Sequence, residues 1–259
     1  VHTIILAAGQ GSRMKSNKAK VLQRIGGTSM LEKICHTAGA VSSDITLVVG
    51  FDKESVLEEA GNYNLNITSS LQPEPIGTGD AVRCGLDKVQ NDSKVLVLYG
   101  DVPLIKRETL QNLIDSSNSG LSILTTVLDK PFGYGRVKTN SNNEALEIVE
   151  EKDATDEERQ IQEIFTGVLC SSKALIEEGL SKITNNNAAD EFYLTDLVSI
   201  INEKGNRINT YKASNEEVKG ANSKQERKAN PACWLLNTST AADKNREEDH
   251  SGHTLNTQK

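Results

Sequence analysis

The sequence predicts an α/β fold: a mixed, mostly parallel sheet flanked by helices, with an inserted β-hairpin. Three observations predict it. Short apolar, β-branched runs alternate with helix-period stretches from residue 2 to about residue 130, which is the pattern of βα units. One run, residues 94–99 (KVLVLY), is apolar enough to be buried on both faces, as central parallel strands are. From Gly133 the style changes to two strands joined by a polar turn, which reads as a hairpin.

Taken in order, residues 2–8 read as a strand, 28–41 as a helix and 45–50 as a strand. Residues 53–60 follow as a helical stretch, 65–70 as a strand and 79–89 as a helix. The central strand 94–99 leads to a helix at 107–116 and a strand at 121–127. The hairpin lies within GYGRVKTNSNNEALEIVEEKD, turning at 139–143, and is expected at the sheet's edge. Residues 162–170 return to strand and 173–182 to helix. Leu194, Leu197, Val198 and Ile201 form a helix-period stripe within 192–204, stopped by Gly205. Residues 208–211 suit a last strand. Beyond about Asn222 the pattern dissolves, and residues 237–259 hold only Ala241, Ala242 and Leu255 as apolar side chains. Such a stretch buries too little surface to offset its ordering entropy, so a disordered tail is expected.

The composition sets limits. The chain has 259 residues, 36% hydrophobic, enough for one large α/β domain or two small ones. Its formal net charge of -7 argues against a general nucleic-acid binder, which shows a basic face. Small anionic ligands are still permitted, because loops and helix ends hold them locally. The four cysteines, Cys35, Cys84, Cys170 and Cys233, form no C-x-x-C pair, so a reducing compartment is expected and structural zinc is not. No apolar run approaches the ~20 residues that span a bilayer, and the apolar start is too short for a secretory signal. The expectation is a soluble, cytoplasmic protein without membrane partners. His2, His36, His250 and His253 offer no triad or His/Cys metal arrangement.

Three segments could carry chemistry. The first strand ends in LAAGQGSRM and continues into SNKAKVL. Gly9 and Gly11 permit a tight turn with close approach to a phosphate, and Arg13 and Lys20 supply positive charge behind it. The pattern is neither a Walker loop nor a dinucleotide fingerprint. In YGDVPL, the central strand ends at Gly100-Asp101, at the sheet edge where open α/β folds bind ligands. Asp101 could ligate Mg²⁺, which takes one or two carboxylates plus phosphates, or could merely cap the turn before Pro103; the pattern leaves both open. In LQPEPIGTGDAV, Gln72 and Thr78 could read a base edge, or Thr78 could simply cap the following helix.

Together LAAGQGSRM, KAKVL, LQPEPIGTGDAV, YGDVPL, GYGRV, IVEEKDAT and FYLTDL, in this order, resemble the bacterial N-acetylglucosamine-1-phosphate uridylyltransferases. The resemblance is to the N-terminal half of the bifunctional enzyme and runs from Thr3 to about Asn222. It implies a Rossmann-like, glycosyltransferase-A-like nucleotidyltransferase domain over residues 1–222, with 223–259 an atypical tail. It implies UTP and N-acetylglucosamine 1-phosphate as substrates, UDP-N-acetylglucosamine and pyrophosphate as products, Mg²⁺ as cofactor, and a place in cell-wall precursor synthesis.

The resemblance also implies residue roles. Leu6, Ala7, Ala8 and Gly9 would line the uridine and phosphate end, with Arg13 and Lys20 the catalytic cations. Gln72, Gly77 and Thr78 would contact uracil, and Tyr99 and Gly100 would pack near nucleotide and sugar. Gly135 and Glu150 would contact the sugar, and Asp101 and Asn222 would hold the metal. Of the acidic stretch 150–158, only Glu150 is expected to be more than solvated surface.

Two departures stand out. The family usually has Asn touching the sugar where this chain has Phe165, in EIFTG. The family also continues after Asn222 into a helical linker and a β-helix of hexapeptide repeats, neither of which is seen here. The expected reading is a truncated or frame-shifted tail without acetyltransferase activity, and a monomer or weak oligomer. Alternatives are a transferase for another base or sugar, a non-catalytic UDP-sugar binding module, or a poorly folding fragment.

Overall fold

The computed structural model describes residues 1–10 and 18–218. Eleven strands and seven helices are assigned among the described residues. The early parallel strands are β1 (His2–Leu6), β4 (Asp44–Val49), β5 (Ile67–Leu71) and β6 (Lys94–Tyr99). They pair in the order β5-β4-β1-β6, all parallel. Strand order reverses at β1, because β4 and β5 lie on one side of it and β6 on the other. Open α/β sheets bind ligands at the strand C-termini beside such a reversal.

Successive residues of these strands point to opposite faces. Ile4, Val48, Val95 and Val97 join one apolar cluster, while Ile5, Leu47, Leu96 and Leu98 join a second. Both sets are almost completely buried, which is why β1, β4 and β6 read as largely apolar runs, while the outer β5 (ITSSL) is half exposed. Each such side chain contributes ~1.5–3 kcal/mol by leaving water. Helices α3 (Thr78–Leu86), α5 (Lys173–Leu180) and α6 (Asp196–Glu203) supply the first cluster. Helices α1 (Met30–Gly39), α2 (Lys53–Ala60) and α4 (Arg107–Ser116) cover the opposite face.

The rest of the sheet is β7 (Gly120–Val127), β10 (Glu163–Ser172) and β11 (Arg207–Lys212). Strand β10 runs antiparallel between β6 and β7, and β11 adds parallel to β7 at the edge. The hairpin is β8 (Arg136–Thr139) with β9 (Ala145–Val149). It branches from the inner strand β10 instead of extending an outer strand, and β9, paired only with β8, forms an edge of its own. Leu169–Ser172 pair with β6, whereas Ile164 pairs with Arg136 of β8. A register shift between Phe165 and Leu169 separates the two halves of β10, as bulges beside sites often do. The hairpin therefore takes over where β6 ends, which brings it next to the strand C-termini.

Two helices start later than their periodicity suggests. Ser29 lies in a two-residue strand, β3 (Thr28–Ser29), paired with β2 (Arg24–Ile25). Its hydroxyl accepts the Glu32 N–H at 3.0 Å, so α1 begins at Met30 rather than Thr28. Helix α6 begins at Asp196, not Phe192, because the intervening backbone is bonded elsewhere. Phe192 donates to Ile76 O at 2.8 Å and its carbonyl accepts from Gly79 N–H at 2.8 Å. A short last helix, α7 (Asn215–Val218), is tied down by Glu217, which accepts from Thr109 Oγ1 at 2.5 Å. Among the described residues no helix is long and apolar enough to cross a membrane.

Candidate active site at the strand C-termini

A cavity of about 270 Å³ opens at the C-terminal ends of β1, β5 and β6. Leu6, Ala8 and Gly9 line it from β1, Gln72 from β5, and Tyr99 and Asp101 from β6. Gly77 and Thr78 face it from the start of α3, and Lys20 from the 3₁₀ turn Lys20–Leu22. Lys20 Nζ donates to Asp101 Oδ2 at 2.5 Å, with the side chains 15% and 27% exposed. A lysine and a carboxylate 81 positions apart are thus paired on the cavity wall.

Gly100 lets these parts meet. A Cβ there would lie 2.8 Å from Val21 Cγ1 and 3.0 Å from Leu6 O, so only glycine allows β6, β1 and the 3₁₀ turn to approach this closely. Its N–H donates to Leu6 O at 3.0 Å. Gly100 itself is buried behind the wall. Ala7 is likewise not a lining residue, since its side chain is 1% exposed and belongs to the apolar cluster on the far face.

The Gly77–Thr78 loop is braced more than its sequence suggests. Gln72 is 6% exposed, and its Nε2 donates to Gly77 O and to Asp80 Oδ2, both at 3.0 Å. That amide holds the loop in place instead of presenting its N–H₂ to the cavity. Thr78 is not the helix cap: Gly77 occupies that position, and Thr78 Oγ1 accepts the Leu194 N–H at 3.1 Å. Gly77 has φ 129°, and a Cβ on it would lie 2.4 Å from Phe192 O. The Glu191–Thr195 segment therefore clasps this loop from outside, and Glu191 itself reaches the cavity.

Gly135 and Glu150 stand together on the hairpin, not on the cavity lining. A Cβ at Gly135 would lie 3.6 Å from the Glu150 carboxyl carbon. Thr195 Oγ1 donates to Glu150 Oε1 at 3.0 Å. Burial first, then the charges of Asp196, Asp153 and Glu191, push the Glu150 carboxyl upward against that bond. Burial and then the Asp153 charge push Asp196 up to about 6. Burial, then the charge of Glu150, also raises the Tyr99 phenol, against a hydrogen bond from Thr78. Glu150, Asp153 and Asp196 thus lie close enough for their charges to act on one another.

Phe165 is 5% exposed, and its ring packs in the cluster holding Val137, Ile148 and Leu194. It does not line the cavity. Glu151 corrects the expectation of a solvated acidic run, because its Oε2 accepts from the almost fully buried Arg136 at 2.7 Å. Burial alone would raise the Glu151 carboxyl; the Gly133 N–H and Arg136 together outweigh it and hold it below the usual range. Glu158 is similarly engaged, by Lys138 first and then by Thr155, and is held at about 2. Arg13, Asn222 and the tail 223–259 lie outside the described residues.

Sequence reasoning missed Asp80 and Glu191. Asp80 had a signal, an acid in the first turn of a helix just after the GTG loop; Glu191 had none. Among the described residues no group of three or more His, Cys, Asp or Glu is arranged to hold a metal.

Comparison with known proteins gives three results. The family model for the MobA-like NTP transferase domain matches residues 3–163. "Bifunctional protein GlmU" of Psychrobacter cryohalolentis is 40% identical over 235 residues, 89% of this chain and 51% of that protein. Its namesake from Methylococcus capsulatus is 43% identical over 229 residues, 87% of this chain and 49% of that protein. The chain spans about half the length of the curated relatives it matches. In fold, a Bacillus anthracis chain assigned as a glucose-1-phosphate thymidylyltransferase, crystallised with sucrose, superposes with a TM-score of 0.73. That match covers 92% of this chain and 96% of the other, at 19% identity.

Proposed function

This chain belongs to the MobA-like NTP transferase domain family, and we propose that within it the protein transfers UMP from UTP to N-acetylglucosamine 1-phosphate. The observation that carries the proposal is the Lys20–Asp101 pair set beside the braced Gly77–Thr78 loop on one cavity wall. The roughly 40% identity to the bifunctional GlmU proteins supports the choice of base and sugar.

Uracil would lie against the Gly77–Thr78 loop, whose remaining backbone groups would meet its donor and acceptor edges, with Gln72 and Asp80 keeping the loop rigid. Leu6, Ala8 and Gly9 would line the ribose and phosphates, and Tyr99 would fill the wall between nucleotide and sugar. An oxygen of the sugar 1-phosphate attacks the α-phosphorus of UTP. The new O–P bond forms as the bond from the α-phosphorus to the bridging oxygen breaks, and pyrophosphate leaves with that electron pair. No protein nucleophile is needed, so positioning and charge stabilisation carry the catalysis. Lys20, joined by Arg13, would neutralise the charge that grows on the leaving group.

Asp101 fits a hard divalent cation: its carboxylate already gathers a positive group, the Lys20 ammonium, and one carboxylate completed by phosphates is the usual Mg²⁺ arrangement. Asp101 and Asn222 would hold Mg²⁺, which supplies neutralisation of the phosphate oxygens. On the sugar side, Glu150 would accept hydroxyl hydrogen bonds, oriented by Thr195 and set beside Gly135.

The test is pyrophosphate release from UTP with Mg²⁺, with and without N-acetylglucosamine 1-phosphate, beside a panel of other NTPs and sugar phosphates. Release from UTP that requires this sugar phosphate is expected. Release only with another pair would reassign the substrates, and none from a cooperatively folded sample would overturn the enzyme reading.

A further inference from the structure

Asp52 is one of three described non-glycine residues with positive φ, at φ 55° and ψ 38°. It stands in the N-cap position of α2, yet its side chain makes no bond to the helix backbone. The carboxylate is turned elsewhere: Oδ2 accepts the Ala19 N–H at 3.0 Å and Oδ1 accepts the Ser55 hydroxyl at 2.7 Å. One residue earlier, Phe51 N–H donates to Ala8 O at 3.1 Å. The turn after β4 therefore grips the chain at two points. One is Ala8, just past β1; the other is Ala19, immediately before Lys20.

A left-handed aspartate that forgoes its capping bond is a local cost, and such outliers are held where the surroundings need them. Here the gain is a charge-assisted bond to a fully buried residue adjoining the lysine on the cavity wall. A lysine side chain has many rotamers, so where its ammonium sits depends on a fixed backbone origin. We propose that Asp52, oriented by Ser55, is a positioning residue that fixes the chain at Ala19 and so aims Lys20 at Asp101. Its kinetic consequence rests on the uridylyltransferase reading; its structural consequence does not.

Two variants separate positioning from a plain turn. Asp52→Gly relieves the left-handed backbone but removes the acceptor, whereas Asp52→Asn keeps an acceptor oxygen and tolerates the turn. The ligand-free protein is treated with a limiting N-hydroxysuccinimide acetate, and acetylation is read residue by residue by mass spectrometry. The exposed Lys88 serves as internal standard. Lys20 should label several-fold faster in Asp52→Gly and at close to the wild-type rate in Asp52→Asn. In turnover, Asp52→Gly should lose roughly ten- to a hundred-fold in kcat with the KM for UTP little changed, while Asp52→Asn retains most of kcat. Wild-type labelling of Lys20 in Asp52→Gly would overturn the proposal, as would faster labelling with unchanged kcat in an active enzyme. A wild-type protein that turns over no substrate would sink the transferase reading instead, and the labelling alone would then decide the role of Asp52.

Discussion

Lys20 Nζ meets Asp101 Oδ2 at 2.5 Å, joining the 3₁₀ turn that follows the glycine-rich segment to the end of the central strand. Neither group is deeply buried, with side-chain exposures of 15% and 27%. The pair is thus charge assembled where a ligand can reach it. Taking two charges partly out of water costs much of what their attraction gains, so the placement of this part-buried pair is better explained by what it can bind.

Lys20→Ala should therefore keep the fold and lose activity. Thermal unfolding should stay cooperative with little change in midpoint, while kcat falls by ~10²–10³. Near-normal turnover in a folded Lys20→Ala sample would remove this lysine from the chemistry.

Gly77→Ala tests the clasp on the base-side loop. With φ at 129° and Phe192 O 2.4 Å from the added Cβ, either the loop or residues 191–195 must shift. A loss of ~1–3 kcal/mol is expected, measured by denaturant unfolding, with a larger rise in the KM for UTP than fall in kcat. Wild-type stability would mean the clasp yields without cost.

Asp196 gives a pH signature whose sign can be worked out. Burial, then Asp153, raises its folded-state value to about 6, above the ordinary ~3.9 of an unfolded aspartate. The folded state then binds more protons between those values, so stability falls as pH rises through that window and levels off above it. Asp196→Asn should be more stable than wild type at pH 7.5, and the advantage should vanish near pH 4. Melting curves at both values decide it; a pH-independent difference would contradict the shift.

Phe165→Asn distinguishes a core ring from a sugar-contact position. The ring is 5% exposed among Val137, Ile148 and Leu194, so replacing it with an amide should cost ~3–5 kcal/mol. Unchanged stability with tighter binding of the sugar phosphate would instead put residue 165 at the sugar.

Much of the parallel half of the sheet was legible because strands buried on both faces are apolar through their middles, as at Val95–Leu98; β5, with the sequence ITSSL and a half-exposed pattern, was not marked in this way. The glycine turn after β1 and the aspartate after β6 also announced the site, since strand C-termini are where such folds bind ligands. Other features depend on contacts between distant parts of the chain. Leu194 fits the helical stripe of α6, yet its N–H is spent on Thr78, 116 residues away. Asp52 stands at the start of α2, and nothing in the sequence near it points to Ala19, where its carboxylate is bonded. Glu151 reads as one more surface acid, because nothing local marks Arg136 as buried beneath it. Hydrophobic period reports which face is covered, but is silent on where a polar side chain finds its partner.

The fork in β10 divides the sheet into two separately paired parts. Its C-terminal half belongs to the parallel part of the sheet through β6, and its N-terminal half to the hairpin through β8. The bulge between Phe165 and Leu169 acts as a joint where one register ends and another begins. A hairpin of different length or sequence could be grafted at that joint, provided it keeps the pairing with Ile164 and the face turned to α6. Such a change would alter the surroundings of Gly135 and Glu150 while leaving the Gly77–Thr78 loop and the lysine–aspartate pair as they are.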